Sequence, residues 1–104
     1  VAEVRIAALD ELTSGEARRF DVSGRRLAVV RVEDAVYIIG DRCSHADASL
    51  SEGDVDVQAG TIECPKHGAL FALATGEPET LPATKPVPSY VVRVADGDVY
   101  VELS

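Results

Sequence analysis

The chain has 104 residues, a formal net charge of −8 and no Trp or Met. That length holds one domain, 1–104, whose modest core must come from Val, Ile, Leu and Ala. The acidic balance argues against a nucleic-acid ligand, which wants a basic face; it suits transient docking on a basic partner, or simple solubility. No apolar run approaches a membrane span, and the N-terminus lacks the charged-then-apolar pattern of a signal peptide. The expectation is a cytoplasmic protein with no membrane partner.

In chain order, Val4–Leu9 is a short apolar run, and Asp10–Ala17 has room for one helical turn. Arg18–Val22 and Arg26–Val32 flank Ser23-Gly24, a hairpin signal, and Ala35–Ile39 follows the turn Glu33-Asp34 and ends at Gly40. From Asp41 to about Thr84 the chain is rich in Gly, Ser, Ala and acidic residues. Strand candidates there are brief: Val55–Gln58, Thr61–Glu63 and Ala69–Ala72. Leu81–Pro88 carries Pro82, Pro86 and Pro88 and is expected to be irregular and stiff. Val91–Val94 and Val99–Leu103 flank Asp96-Gly97 as a closing hairpin. Short β-branched runs at even spacing predict an all-β fold, a small antiparallel β-sandwich or barrel. Segment 41–84 is read as a subdomain inserted between the outer strands.

The chemistry lies in that segment. The chain's two cysteines and two histidines fall into two pairs, Cys43-Ser44-His45 and Cys64-Pro65-Lys66-His67, separated by eighteen residues. Two thiolates and two imidazoles suit zinc or an iron–sulfur cluster. Zinc fingers usually pair cysteine with cysteine and histidine with histidine. Here each pair supplies one of each, which favours iron and sulfide over zinc.

The two motifs, with Gly68 closing the second, resemble those of the Rieske family. The similarity runs through nearly the whole chain, including the Pro-rich loop and the closing hairpin. It implies a soluble ferredoxin, similar to those of aromatic-ring dioxygenases, with one Rieske-type 2Fe-2S cluster. Cys43 and Cys64 would then hold the inner iron, and His45 and His67 the outer iron near the surface. Two neutral imidazoles in place of thiolates leave the cluster less negative, which raises its reduction potential. High-potential members carry a Ser and a Tyr whose hydroxyls donate to the cluster; the matching positions here are Ala69 and Phe71, which donate nothing. The implied potential is about −150 mV, at the low end of the Rieske range. Those members also join the two loops by a disulfide between extra cysteines, which this chain lacks. Its loops must be held by the cluster, by backbone hydrogen bonds and by Leu50, Leu70, Phe71 and Leu81.

The resemblance implies a one-electron carrier between a ferredoxin reductase and a terminal ring-hydroxylating oxygenase, for which a monomer suffices. Ala46, Ala48, Pro65 and Leu81-Pro82 would form an apolar rim around the histidines, and Asp41, Asp47, Glu52 and Asp54 would steer a basic reductase. Catalysis by the chain itself is not expected, because no histidine remains for a second iron site once the cluster is built, and no Ser–His or Cys–His set is left free. Redox sensing, a part in iron–sulfur assembly, and a structural zinc module are the alternatives.

Overall fold

A computed structural model describes residues 2–42, 48–66, 68–79 and 85–103. Among the described residues ten strands run in chain order: β1 (Ala2–Ala8), β2 (Ala17–Val22), β3 (Arg25–Val32), β4 (Ala35–Gly40), β5 (Val55–Asp56), β6 (Thr61–Glu63), β7 (Leu70–Ala72), β8 (Ser89–Tyr90), β9 (Val92–Ala95) and β10 (Asp98–Leu103). Helix is limited to two single 3-10 turns, Leu9–Glu11 and Leu50–Glu52, among the described residues. No helix there is long and apolar enough to cross a membrane.

Every strand ladder is antiparallel. The strands form three sheets, ordered β1-β10-β9, β2-β3-β4-β8 and β5-β6-β7. The Ser23-Gly24 and Asp96-Gly97 turns have positive φ at both residues, the backbone that two-residue hairpins require. The expected strands appear with ends shifted by one or two residues, and Val55–Gln58 shortens to β5. The missed strand is β8, whose Ser89 and Tyr90 pair with Ile39 and Ile38. It directly follows Pro88, just past the stretch that the prolines mark as irregular.

The order of layers follows from β3. Leu27, Ala28, Val29 and Val30 are all fully buried, so both faces of this strand are covered. Leu27 and Val29 pack with Val99, Val101 and Leu103 of β10. Ala28 and Val30 face the other way, onto Leu50, Ile62, Cys64, Phe71 and Leu73. Ile38 and Ile39 of β4 divide in the same manner. The middle sheet thus lies between the outer sheet and a layer built from Leu50–Glu52 and β5-β6-β7, with a separate hydrophobic core on each side. The chain leaves β4 at Gly40 and returns beside it at β8, and the Gly40 N–H donates to Pro88 O at 2.8 Å.

Candidate metal centre

Each ligand motif falls in a connection between described elements. The first connection runs in sequence from the end of β4 to Ala48. An antiparallel bridge between Arg42 and Ser49 closes its base. Cys43, His45 and the rim and steering residues Ala46 and Asp47 lie outside the described residues, as do His67, Leu81 and Pro82. The second loop connects β6 to β7, which pair Glu63 with Leu70.

Cys64 starts that second loop. Its N–H donates to Ala69 O at 2.7 Å, and its carbonyl accepts the Gly68 N–H at 3.0 Å. Gly68 has φ +73, and a Cβ there would meet nothing within 4 Å. Backbone conformation, rather than crowding, is what favours glycine at this turn. The turn leaves Pro65, Lys66 and Gly68 exposed while Cys64 is fully buried. The Cys64 thiol is not in a disulfide. It shares a core with Ala69, Phe71 and Leu50, against which Ala48 of the first loop also packs. The two loops therefore meet around one hydrophobic cluster that contains a thiol. A buried thiol at the root of a solvent-exposed tip suits the inner side of a thiolate–imidazole iron site, so the described residues fit the expected group. Among the described residues, no three His, Cys, Asp or Glu gather to hold a metal; three of the four expected ligands fall outside them.

One expectation is corrected. Asp41 is not a surface charge that steers a partner; it is fully buried. Its Oδ2 accepts the Ser49 hydroxyl and faces the Arg26 guanidinium at 3.4 Å, and its Oδ1 accepts the Ser51 N–H at 2.9 Å. Its backbone N–H donates to Arg26 O at 3.1 Å and its carbonyl accepts the Leu50 N–H at 2.6 Å. The carboxylate is satisfied inside the protein, which is what lets it be buried. Glu52 and Asp54 are exposed as expected. Leu50 and Phe71 are fully buried, while Leu70 is half-buried.

Sequence reasoning missed the roles of Ser49, Ser51 and Gly53. Nothing in the sequence singled out the Asp41 contacts, since one uses the backbone N–H of Ser51 and the others depend on the fold. A Cβ on Gly53 would lie 1.7 Å from Glu63 O, so this glycine is required by close approach to β6.

Comparison with known proteins bears on the same residues. The model of the Rieske [2Fe-2S] domain matches residues 2–91. The 3-phenylpropionate/cinnamic acid dioxygenase ferredoxin subunit of Escherichia coli K12 is 45% identical over 93 residues, covering 89% of this chain and 86% of that protein. The ferredoxin of carbazole 1,9a-dioxygenase from Nocardioides aromaticivorans superposes with a TM-score of 0.97 at 40% identity, covering 100% of both chains. A ferredoxin solved as a complex of reduced oxygenase and oxidised ferredoxin in carbazole 1,9a-dioxygenase matches with a TM-score of 0.88 at 39% identity, covering 98% of this chain and 97% of that one. The all-β layers, the buried thiol and these matches agree, and the chain belongs to the Rieske [2Fe-2S] family, as a small ferredoxin that carries electrons on one Rieske-type cluster.

Proposed function

We propose that Cys43 and Cys64 hold one iron through their thiolates and His45 and His67 the other through ring nitrogens. The ligands lie in a cluster-binding segment, roughly 41–84, of a single domain spanning 1–104. When bound, the cluster accepts and releases one electron at a time. The rest is done by the chain. Cys64 is anchored by two backbone hydrogen bonds, and the exposed Pro65–Lys66 turn keeps the tip within reach of a partner. Ala48 and Pro65 supply apolar contact, and Glu52 and Asp54 supply attraction for a basic surface.

The function is to take an electron from a ferredoxin reductase and pass it to the terminal oxygenase of a ring-hydroxylating dioxygenase. The observation that carries this is the full-length match to a ferredoxin solved together with its oxygenase. The protein acts as a cytoplasmic monomer, a form sufficient for shuttling single electrons between two larger partners.

The test is anaerobic purification with iron and sulfide analysis, followed by EPR after reduction. A brown protein with two irons, two sulfides and a rhombic signal is expected from the Rieske ligand set. Colourless material stoichiometrically loaded with Zn²⁺ overturns the reading. For the carrier role, a dioxygenase reaction rebuilt from reductase and oxygenase should stop when this chain is left out. Turnover at an unchanged rate would leave sensing or cluster assembly as the function.

A further inference from the structure

The ligand loops must stand at a fixed separation for four side chains to converge, and no disulfide joins them: the chain's two cysteines are both assigned as ligands. We propose that Asp41 and Gly53 are positioning residues, forming a strut between the two loops that sets the geometry of the ligand set. This inference rests on the ligand assignment above.

The strut can be followed residue by residue. Asp41 is fixed to β3 through Arg26 O and sits two residues before Cys43. Its carboxylate and carbonyl collect Ser49, Leu50 and Ser51, the residues just beyond the first ligand loop. One residue therefore holds both ends of the loop that carries Cys43 and His45. The next link is the Gly53 N–H, which donates to Leu50 O at 3.0 Å. Gly53 then lies flat against the Glu63 carbonyl, and the Glu63 N–H donates to Asp54 O at 2.8 Å. Glu63 is bonded to Cys64. From one ligand loop to the other, each contact is a hydrogen bond or a backbone approach with no room for a methyl group.

The surroundings of Asp41 favour a carboxylate over an amide. Both oxygens accept, from the Ser49 hydroxyl and the Ser51 N–H, with Arg26 also facing Oδ2. An amide in its place turns one acceptor into a donor. Turned toward Ser51 it meets a backbone N–H, and turned toward Ser49 it meets the Arg26 guanidinium. A buried donor left without its acceptor is the expensive case.

The experiment compares holoprotein variants Asp41→Asn, Ser49→Ala and Gly53→Ala with the wild type. Asp98→Ala, which removes only the exposed contact to Arg5, is the control. Three quantities are read: the rate of iron loss to a chelator, the EPR g-values of the reduced protein, and the reduction potential. The strut variants should lose iron roughly tenfold faster. They should also show altered g-values and a shifted potential while the amides of β3 and β4 stay protected from exchange. Ser49→Thr, which restores the hydroxyl, should restore the g-values. A general loss of stability would not move the g-values of the protein that remains folded. If Asp41→Asn does not fold, Ser49→Ala removes a single donor and decides the matter. Strut variants that match the wild type in all three readouts overturn the inference alone. A zinc-loaded wild type overturns the ligand assignment beneath it.

Discussion

The two cores of this protein are built by opposite means. The core between β1-β10-β9 and the middle sheet is closed by a sheet of long ladders: six residue pairs join β1 to β10, and four join β10 to β9. The core that contains Cys64 is closed by strands of two or three residues, a 3-10 turn and single hydrogen bonds around Asp41, Gly53, Gly68 and Gly76. Charge is divided as unevenly. Residues 41–84 hold eight of the eighteen acidic residues but two of the ten basic ones. In the outer sheet, Glu3–Arg93 and Arg5–Asp98 pair opposite charges across strands. One region is a self-sufficient framework; the other depends on its ligand and carries the charge a partner would sense.

The largest effect expected from that difference comes from removing a ligand. Cys64→Ser should abolish the cluster and raise amide exchange through residues 48–53 and 61–72, leaving residues 27–39 protected, because metal ligation and local folding are coupled. Uniform loosening of both regions in hydrogen-exchange mass spectrometry would erase the distinction. Core truncations come next. Phe71→Ala should cost about 3–5 kcal/mol and Leu27→Ala about 2–5 kcal/mol in denaturant unfolding of the holoprotein. Only Phe71→Ala should also speed iron loss, since Phe71 alone of the two shares a core with Cys64.

Electron uptake divides the regions more gently. Glu52→Lys with Asp54→Lys should slow reduction by a reductase about tenfold at low ionic strength, an effect that fades as salt screens the charges. Asp34→Lys with Glu102→Lys, an equal change of net charge at exposed positions outside residues 41–84, should change the rate far less; equal slowing would mean that net charge, not its placement, governs encounter. At the buried Ala69, Ala69→Ser should raise the potential above that of the wild type by placing a hydroxyl donor beside sulfur, as voltammetry would register.

The smallest effect belongs to the outer sheet. The Glu3 carboxyl is held below its usual 4.5 by the Arg93 guanidinium that donates to it. A depressed carboxylate adds stability above its unfolded value, and that contribution is lost as pH falls through the folded value. Wild type and Glu3→Gln should therefore differ slightly in melting temperature at neutral pH and converge in acid, below the lowered Glu3 value. Both residues are exposed, so the difference stays small.

The framework was largely legible in the sequence. Ser23-Gly24 and Asp96-Gly97 announce hairpins because few residue pairs tolerate positive φ twice, and the β-branched runs beside them announce the strands, although not that Leu27–Val30 is covered on both faces. The motif pairs were legible as well, since an unusual ligand set at tight spacing leaves few chemistries open. What holds those motifs was not. Asp41 reads as one more acidic residue in an acidic stretch, and only the fold brings Ser49, Ser51 and Arg26 around it. Gly53 reads as a turn glycine, whereas its requirement comes from a carbonyl ten positions later. Strand β8 was hidden because two residues beside a proline carry no periodicity; its existence depends on the open edge that β4 offers.

The adjacency of Gly40 and Pro88 has an engineering consequence. Since the way into the ligand-bearing segment and the way out are hydrogen-bonded neighbours on one sheet edge, that segment can lengthen, shorten or be exchanged without altering the register of any other strand. Loops transplanted from a relative of different potential would be seated on the same two anchor points, and a series of chimeras could retune the carrier while the surface opposite its tip stays constant.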